Sequence, residues 1–325
     1  MKSLPTKSIA ALAILLSASL PSASAQEARQ TPPASSTQAP GQVFKMRLGH
    51  FKIVAIGDGI FSLPTDQLLV DAHPGEVRAL LAAGHQPVVE PTSVNAYLVD
   101  TGRKRILVDT GGGAFFGAAL GRFGAGLRAA GYRPQDIDEV LLTHLHPDHV
   151  GGLVIDGKPV FPNAVIRLQE REEAFWLDKS NADKVDASVS ATFDAASASL
   201  APYSAAGRVR TFKPGALLEP GITAIDIPGH TPGHSAYRIE SEGKTLLIWG
   251  DVMHVAAVQL TDPAITIRFD YMPDLARATR EQLMNETMRR GDLIAGAHLA
   301  FPGIGRLRKA ADKWQWLPVS SATPR

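Results

Sequence analysis

Thr143-His144-Leu145-His146-Pro147-Asp148-His149-Val150-Gly151-Gly152 decides how this chain is read. Apolar Val140-Leu141-Leu142 leads into it as a buried strand would. His144 and His146 are two apart, so at a strand end both imidazoles face one side. Pro147 cannot continue a ladder and turns the chain, which brings Asp148 and His149 to a second point near the first. Gly151-Gly152 permits a tight path onward. The segment therefore offers two donor pairs, one for each of two adjacent metal ions. Imidazole and carboxylate are the ligands zinc takes where no thiolate is available, and the chain contains no cysteine.

One loop cannot complete such a site. Further donors follow in Pro228-Gly229-His230-Thr231-Pro232-Gly233-His234, Trp249-Gly250-Asp251 and Gly296-Ala297-His298. Each comes just after an apolar, strand-like run, where strand-end loops gather.

The 325 residues are 45% hydrophobic and 20% charged, enough for a sizeable core in one large domain or two. Lys and Arg total 33 against 32 Asp and Glu, and aromatics make up 6%, so neither a basic field nor a base-stacking surface for nucleic acid is expected. The missing cysteines exclude disulfide scaffolds, thiolate nucleophiles and iron–sulfur clusters. No internal apolar run is long enough to span a membrane.

At the N-terminus, Lys2 and Lys7, the apolar run Ile9 to Leu20 and Ala23-Ser24-Ala25 read as a signal peptide over 1–25, cleaved before Gln26. The mature protein is expected to be secreted or periplasmic. Residues 26–42, rich in Pro, Ser, Thr and Gln, read as a disordered leader. The catalytic domain is expected over 43–325.

Short β-rich runs are expected at 43–48, 51–56, 60–63, 93–99, 105–109, 139–143, 164–168, 209–212, 222–227, 236–239 and 245–249. Helical patterns fall at 76–83, 118–130, 170–177, 185–200 and 273–290. Each half runs strands then helix. This predicts an α/β fold, a four-layer αββα sandwich with two facing sheets and helices outside.

With the donors in place, the chain resembles the metallo-β-lactamase fold superfamily: His144, His146, Asp148 and His149 match its HxHxDH motif, and His230, Asp251 and His298 its later metal positions. The resemblance implies His144, His146 and His230 on one ion, Asp148, His149 and His298 on the other, and Asp251 and a hydroxide bridging two divalent ions, zinc by choice of ligands. Asp148 could also shuttle a proton. Thr231 and His234 are expected to support the ligands from behind.

Leu107-Val108-Asp109-Thr110-Gly111, Phe161-Pro162-Asn163-Ala164-Val165, Val255-Ala256-Ala257-Val258-Gln259 and Phe301-Pro302-Gly303-Ile304-Gly305 are similar to the methyl parathion hydrolase group, with its dihydrocoumarin-hydrolysing lactonases and arylesterases. This resemblance implies a substrate pocket of Phe61, Leu68, Phe116, Trp176, Phe193, His254, Ile267 and Phe269. The organophosphate specialists carry leucine at His254 and arginine at Leu68, and smaller residues at Ile267 and Phe269. The expectation is therefore a lactonase or arylesterase acting on small uncharged substrates, with His254 as a second catalytic candidate and a homodimer as the candidate assembly. The alternatives are an organophosphate triesterase, an acyl-homoserine lactonase and, from another class, a metal-binding protein without turnover.

Overall fold

Strands β1 (Val43–Leu48), β2 (Phe51–Pro64), β3 (Val89–Asp100), β4 (Arg105–Val108), β5 (Glu139–Leu141), β6 (Val165–Gln169) and β7 (Val209–Phe212) form one sheet in chain order. Strands β8 (Leu217–Glu219), β9 (Ile222–Asp226), β10 (Ser235–Ser241), β11 (Lys244–Ile248), β12 (Leu293–Ala295), β13 (Ile304–Ala310) and β14 (Lys313–Pro318) form a second, again in chain order. This computed structural model describes residues 41–311 and 313–319. The expected signal segment, and all of the leader except Gly41 and Gln42, lie outside them.

Pairing is antiparallel except along β4 to β7 and between β11 and β12, where it is parallel. Parallel neighbours need crossovers. These carry α2 (Phe123–Ala129), α3 (Pro147–Val150), α4 (Glu170–Trp176) and α5 (Thr192–Ala205) on the first sheet, and α6 (Pro273–Arg290) on the second. Helix α1 (Glu76–Ala83) stands apart, at the end of the β2–β3 ribbon.

Strand alternation builds the layers. In β2, Val54 and Ile56 join Leu127, Trp176 and Leu200 of α2, α4 and α5 in the outer core. Ile53 and Ala55 face the other way and meet Ile222, Tyr237 and Ile248 of the second sheet. Beyond it, Leu247, Trp249 and Ile294 pack on Leu283 and Met284 of α6. The αββα sandwich is the observed fold.

Several expected boundaries differ. The strands expected at 51–56 and 60–63 are one strand, because Gly57 and Gly59 shift the register against β3 without ending the ladder. Gly59 has φ +154°, and a Cβ there would lie 2.1 Å from the Ala119 carbonyl oxygen. The helix expected at 118–130 is split by Gly121, at φ +91°, into a turn and α2. The helix expected from 185 begins at Thr192, since Asp186 caps a separate turn at Ala187–Val189. Strands β8, β13 and β14 were not expected; β13 buries little besides Ile304, Gly305 and Leu307 and so carries a weak apolar signal.

Candidate metal centre

The HxHxDH loop leaves β5 at Leu141. Its path is fixed by Asp109, at the end of β4, whose carboxylate accepts from the Thr143 amide and hydroxyl, both at 2.8 Å. Pro147 then opens the single turn α3, and the His149 amide donates to the His146 carbonyl at 3.0 Å. His230 follows β9, Asp251 follows β11 and His298 follows β12, so both sheets deliver donors to one edge.

The seven expected donors converge. His144, His146, His230 and Asp251 form one group, and Asp148, His149 and His298 another, each with donor atoms within 4.8 Å of one another. Asp251 lies between them: His298 Nε2 is 3.0 Å and His230 Nε2 3.5 Å from its Oδ2, and His149 Nε2 is 3.2 Å from its Oδ1. His254 was not expected among the donors, yet it forms a third group with Asp251 and His298.

The far nitrogens of the imidazoles show what the near ones are for. Nδ1 is 3.0 Å from Thr143 Oγ1 in His144, 2.9 Å from Asp109 in His149, 2.8 Å from Asp270 in His230 and 3.0 Å from the Ser93 carbonyl in His298. Such outer contacts orient a ligating ring. His146 is turned round, with Nδ1 at the centre, 3.0 Å from His230 Nε2. Nε2 of His144 and of His149 and Oδ1 of Asp251 are buried without a hydrogen-bond partner. Unpaired buried polar atoms are costly, and divalent cations fit this donor set.

Burial, with His149 beside it, pushes His144 well below its ordinary pKa, and burial with His230 does the same to His146. Burial also opposes charge on His149, but Asp251, Asp148 and Asp109 outweigh it and push that ring up. Burial would raise Asp251, yet His149 and His298 hold its carboxyl far below the usual range.

His234 and Thr231 lie behind the donors. His234 Nε2 accepts from the Asp251 amide at 3.2 Å, and Thr231 donates to Glu172 at 2.6 Å. Glu172 also accepts the Leu145 and Gly233 amides, both at 2.9 Å, and so ties the HxHxDH loop to the His230 loop. Sequence reasoning missed Glu172, Asp109 and Asp270. Asp109 had a signal, an acid ending the apolar run Leu107-Val108; Glu172 and Asp270 had none.

Above the donors is a cavity of about 140 Å³ lined by Phe61, Leu63, Phe116, Val189, Phe269 and His254 among others, with no lysine or arginine. Phe61 packs on Phe116, ring centres 5.7 Å apart. Of the other expected pocket residues, Trp176 lies against His146 at 5.4 Å with Phe193 behind it at 4.8 Å. Ile267 belongs to an adjoining apolar cluster on which Leu68 packs. The Ser188–Thr192 stretch of wall was not expected. A larger groove of about 780 Å³, lined by Lys45, Arg47, Lys52 and Tyr132, includes none of the seven donors.

The sequence profile of the Metallo-beta-lactamase superfamily matches residues 89–298. The chain belongs to that superfamily. Among solved structures, a hydrolase named AbOPH in the beta lactamase superfamily is 36% identical with a TM-score of 0.82, covering 87% of this chain and 99% of its own. AidC, a dizinc quorum-quenching lactonase in complex with a product N-hexanoyl-L-homoserine, is 25% identical with a TM-score of 0.78, over 86% and 98%. Atrochrysone carboxyl ACP thioesterase of Passalora fulva is 29% identical over 150 residues, 46% of this chain and 34% of that protein. The chain spans about a third of the length of the first curated relatives it matches. Among the described residues, no helix is long and apolar enough to cross a membrane.

Proposed function

We propose that this member of the superfamily hydrolyses uncharged lactones and aryl esters, using two zinc ions. The observation that carries the reading is the pairing of seven convergent donors with an apolar, aromatic cavity free of lysine and arginine. His144, His146 and His230 would hold one ion, Asp148, His149 and His298 the other, with Asp251 shared. Bound there, zinc supplies Lewis acidity and makes water a nucleophile near neutral pH.

The side chains do the rest. Burial would raise Asp148, but His149 and His298 keep its carboxyl well below the usual range, and it borders the cavity, placed to take a proton from the attacking water. Burial lowers His254 to about 4, so the ring is neutral. Its Nε2 lies 3.1 Å from Asp251 Oδ2 and donates to it. Once Asp148 has passed the water's proton to the leaving oxygen, Nδ1, buried and without a partner, can accept a hydrogen bond from the resulting hydroxyl. Phe61 and Phe116 suit a flat ring, while His254 and Phe269 crowd the space a tetrahedral phosphotriester needs. Likeness to AidC supports a second reading, acyl-homoserine lactone hydrolysis. Export with cleavage before Gln26 belongs to the same proposal; N-terminal sequencing of secreted or periplasmic protein tests it, and an intact Met1 counts against it.

The test of the activity is kcat/KM for an aryl lactone, an acyl-homoserine lactone and a dimethyl aryl phosphorothioate, in zinc-loaded wild type and H254L. The lactones are expected to lead, and H254L to shift the ratio toward the phosphorothioate by about 10–200-fold, the range of a single pocket change. A wild-type preference for the phosphorothioate overturns the reading.

A further inference from the structure

Helix α6 buries one stripe of its surface: Ala276, Arg280, Leu283, Met284 and Thr287. Arg280 is the charged member, and it is 1% exposed. Its donors are spent on one loop. Nε donates to the Val252 carbonyl at 2.7 Å, and Nη1 to the Pro263 and Ile265 carbonyls at 2.6 and 2.9 Å. Nη2 lies 3.6 Å from Asp270 Oδ2, the one carboxylate that Arg280 pairs with among the described residues. A buried ion pair adds little to stability, and well-packed apolar side chains in its place often do as well or better. A methionine would suit the stripe, so the guanidinium is better accounted for by what it holds.

It holds two parts of the site. Asp270 turns its other oxygen, Oδ1, to His230 Nδ1 at 2.8 Å, so the ion pair runs from α6 to a candidate metal ligand. The loop tied at Val252, Pro263, Ile265 and Asp270 carries His254 and Phe269, both on the cavity wall. On its outer side this loop pairs through Thr266 and Ile267 with Val70 and Leu69. Gln259 braces it from within, accepting the His254 amide at 2.8 Å. Arg280 ties its inner side to α6. A void of about 10 Å³ is lined by Arg280, His230, His234 and Asp251 together, which puts Arg280 directly behind the donors.

We propose that Arg280 is a positioning residue for both parts of the site. Through Asp270 it sets the angle of the His230 ring, and through three carbonyls it sets the distance of the His254–Phe269 wall from the donors. The inference rests on the two-ion hydrolase reading above and deepens it: ion affinity and substrate fit are coupled through one side chain outside the cavity. Lysine is no substitute, since a single ammonium cannot serve three carbonyls and a carboxylate as a planar fork does.

The test measures zinc affinity, by competition with a chelating dye, and kcat and KM for an aryl ester in wild type, R280M, R280K, D270N and R280M/D270N. R280M should bind zinc about ten-fold more weakly, the lower end of what losing an outer contact costs. Were charge all that mattered, removing a cation from behind the ions would tighten binding, so tighter or unchanged binding overturns the assignment. In the D270N background R280M should cost less than about two-fold further, because both act through His230. Full additivity, the mark of a general loosening of the fold, overturns it. With zinc saturating, R280M should raise KM about ten-fold with a smaller change in kcat, within the range of a pocket change; an unchanged KM counts against the tie to the wall. R280K, which keeps the charge, should follow R280M in both readouts, and wild-type values in R280K overturn the proposal. Should R280M not fold, R280K and R280K/D270N carry the same comparisons. If wild type binds no zinc and turns over no ester or lactone, it is the hydrolase reading that fails. Hydrogen exchange then decides: amides of 252–270 exchanging faster in R280K than in wild type support the tie, and equal exchange refutes it.

Discussion

Replacing Glu172 by glutamine tests how the two donor loops are held in register. The carboxylate is fully buried and accepts from the Leu145 and Gly233 amides and the Thr231 hydroxyl. An amide side chain has one acceptor oxygen, so its NH₂ must face either the Leu145 N–H or the Gly233–Thr231 pair. Turning it toward Leu145 loses less. One buried donor is then left without an acceptor, at a cost of about 1–3 kcal/mol. At roughly 2–4 °C per kcal/mol for a domain of about this size, a 2 kcal/mol loss lowers the melting temperature by about 4–8 °C. Leu145 sits between His144 and His146, so the displacement passes to both rings. Loss of an outer contact of this kind typically weakens metal binding by about 10–100-fold. Zinc affinity is read by competition with a chelating dye, and stability by thermal unfolding. E286Q, which removes a carboxylate paired with Arg238 at 2.8 Å on α6, controls for loss of charge. E172Q with wild-type zinc affinity and melting temperature would refute the account.

Three further outcomes are expected. D251A should bind zinc weakly and lose hydrolysis, since five imidazoles approach this one carboxylate; elemental analysis showing two ions per chain in an active variant counts against the shared role. Burial pushes Glu90 up to about 7, so its carboxyl is neutral in the fold at low pH and costs stability as pH rises from its unfolded value through 7; E90Q should melt higher than wild type at pH 8 and equally at pH 4, and equal melting at both would exclude the effect. Asp58 closes the loop that carries Phe116 by accepting the Gly112, Gly121 and Phe123 amides at 2.8, 3.0 and 2.7 Å, so D58A should raise KM for an aryl lactone about ten-fold with a smaller change in kcat, and should expose residues 112–121 to protease; unaltered KM and protease resistance would contradict this.

Which parts of the site were legible in the chain follows from where each partner lies in sequence. His144, His146, Asp148 and His149 share one loop, and His230, Asp251 and His298 each follow an apolar strand, so a local signal marks all seven. Glu172 holds Leu145 from 27 residues away and Gly233 from 61, on a short helix whose acids look like ordinary surface. Asp270 reaches His230 across 40 residues. Nothing local announces either. Of the pocket residues that the resemblance implied, Phe61, Phe116, His254 and Phe269 line the cavity, while Leu68, Trp176, Phe193 and Ile267 do not; the Ser188–Thr192 wall is built of small residues and has no apolar period. In the fold, alternation marked the inner strands well, because both faces of β2 are buried by different layers. The last hairpin buries few side chains and left a faint trace.

Each sheet is laid down in chain order, the first complete by Phe212 and the second begun at Leu217. The donors are split along that line: four precede it and three follow. No donor group closes from the first half alone, for even His146 meets His230 across 84 residues. Contacts of such long sequence separation form slowly, because chain entropy is spent before they repay it. A chain emerging from a ribosome or a translocon therefore holds half of its cation cage, open, until the final strands dock. Its coordination chemistry reports the end of folding, and the rate at which a chelatable ion becomes protected is a clock for assembly of the second sheet.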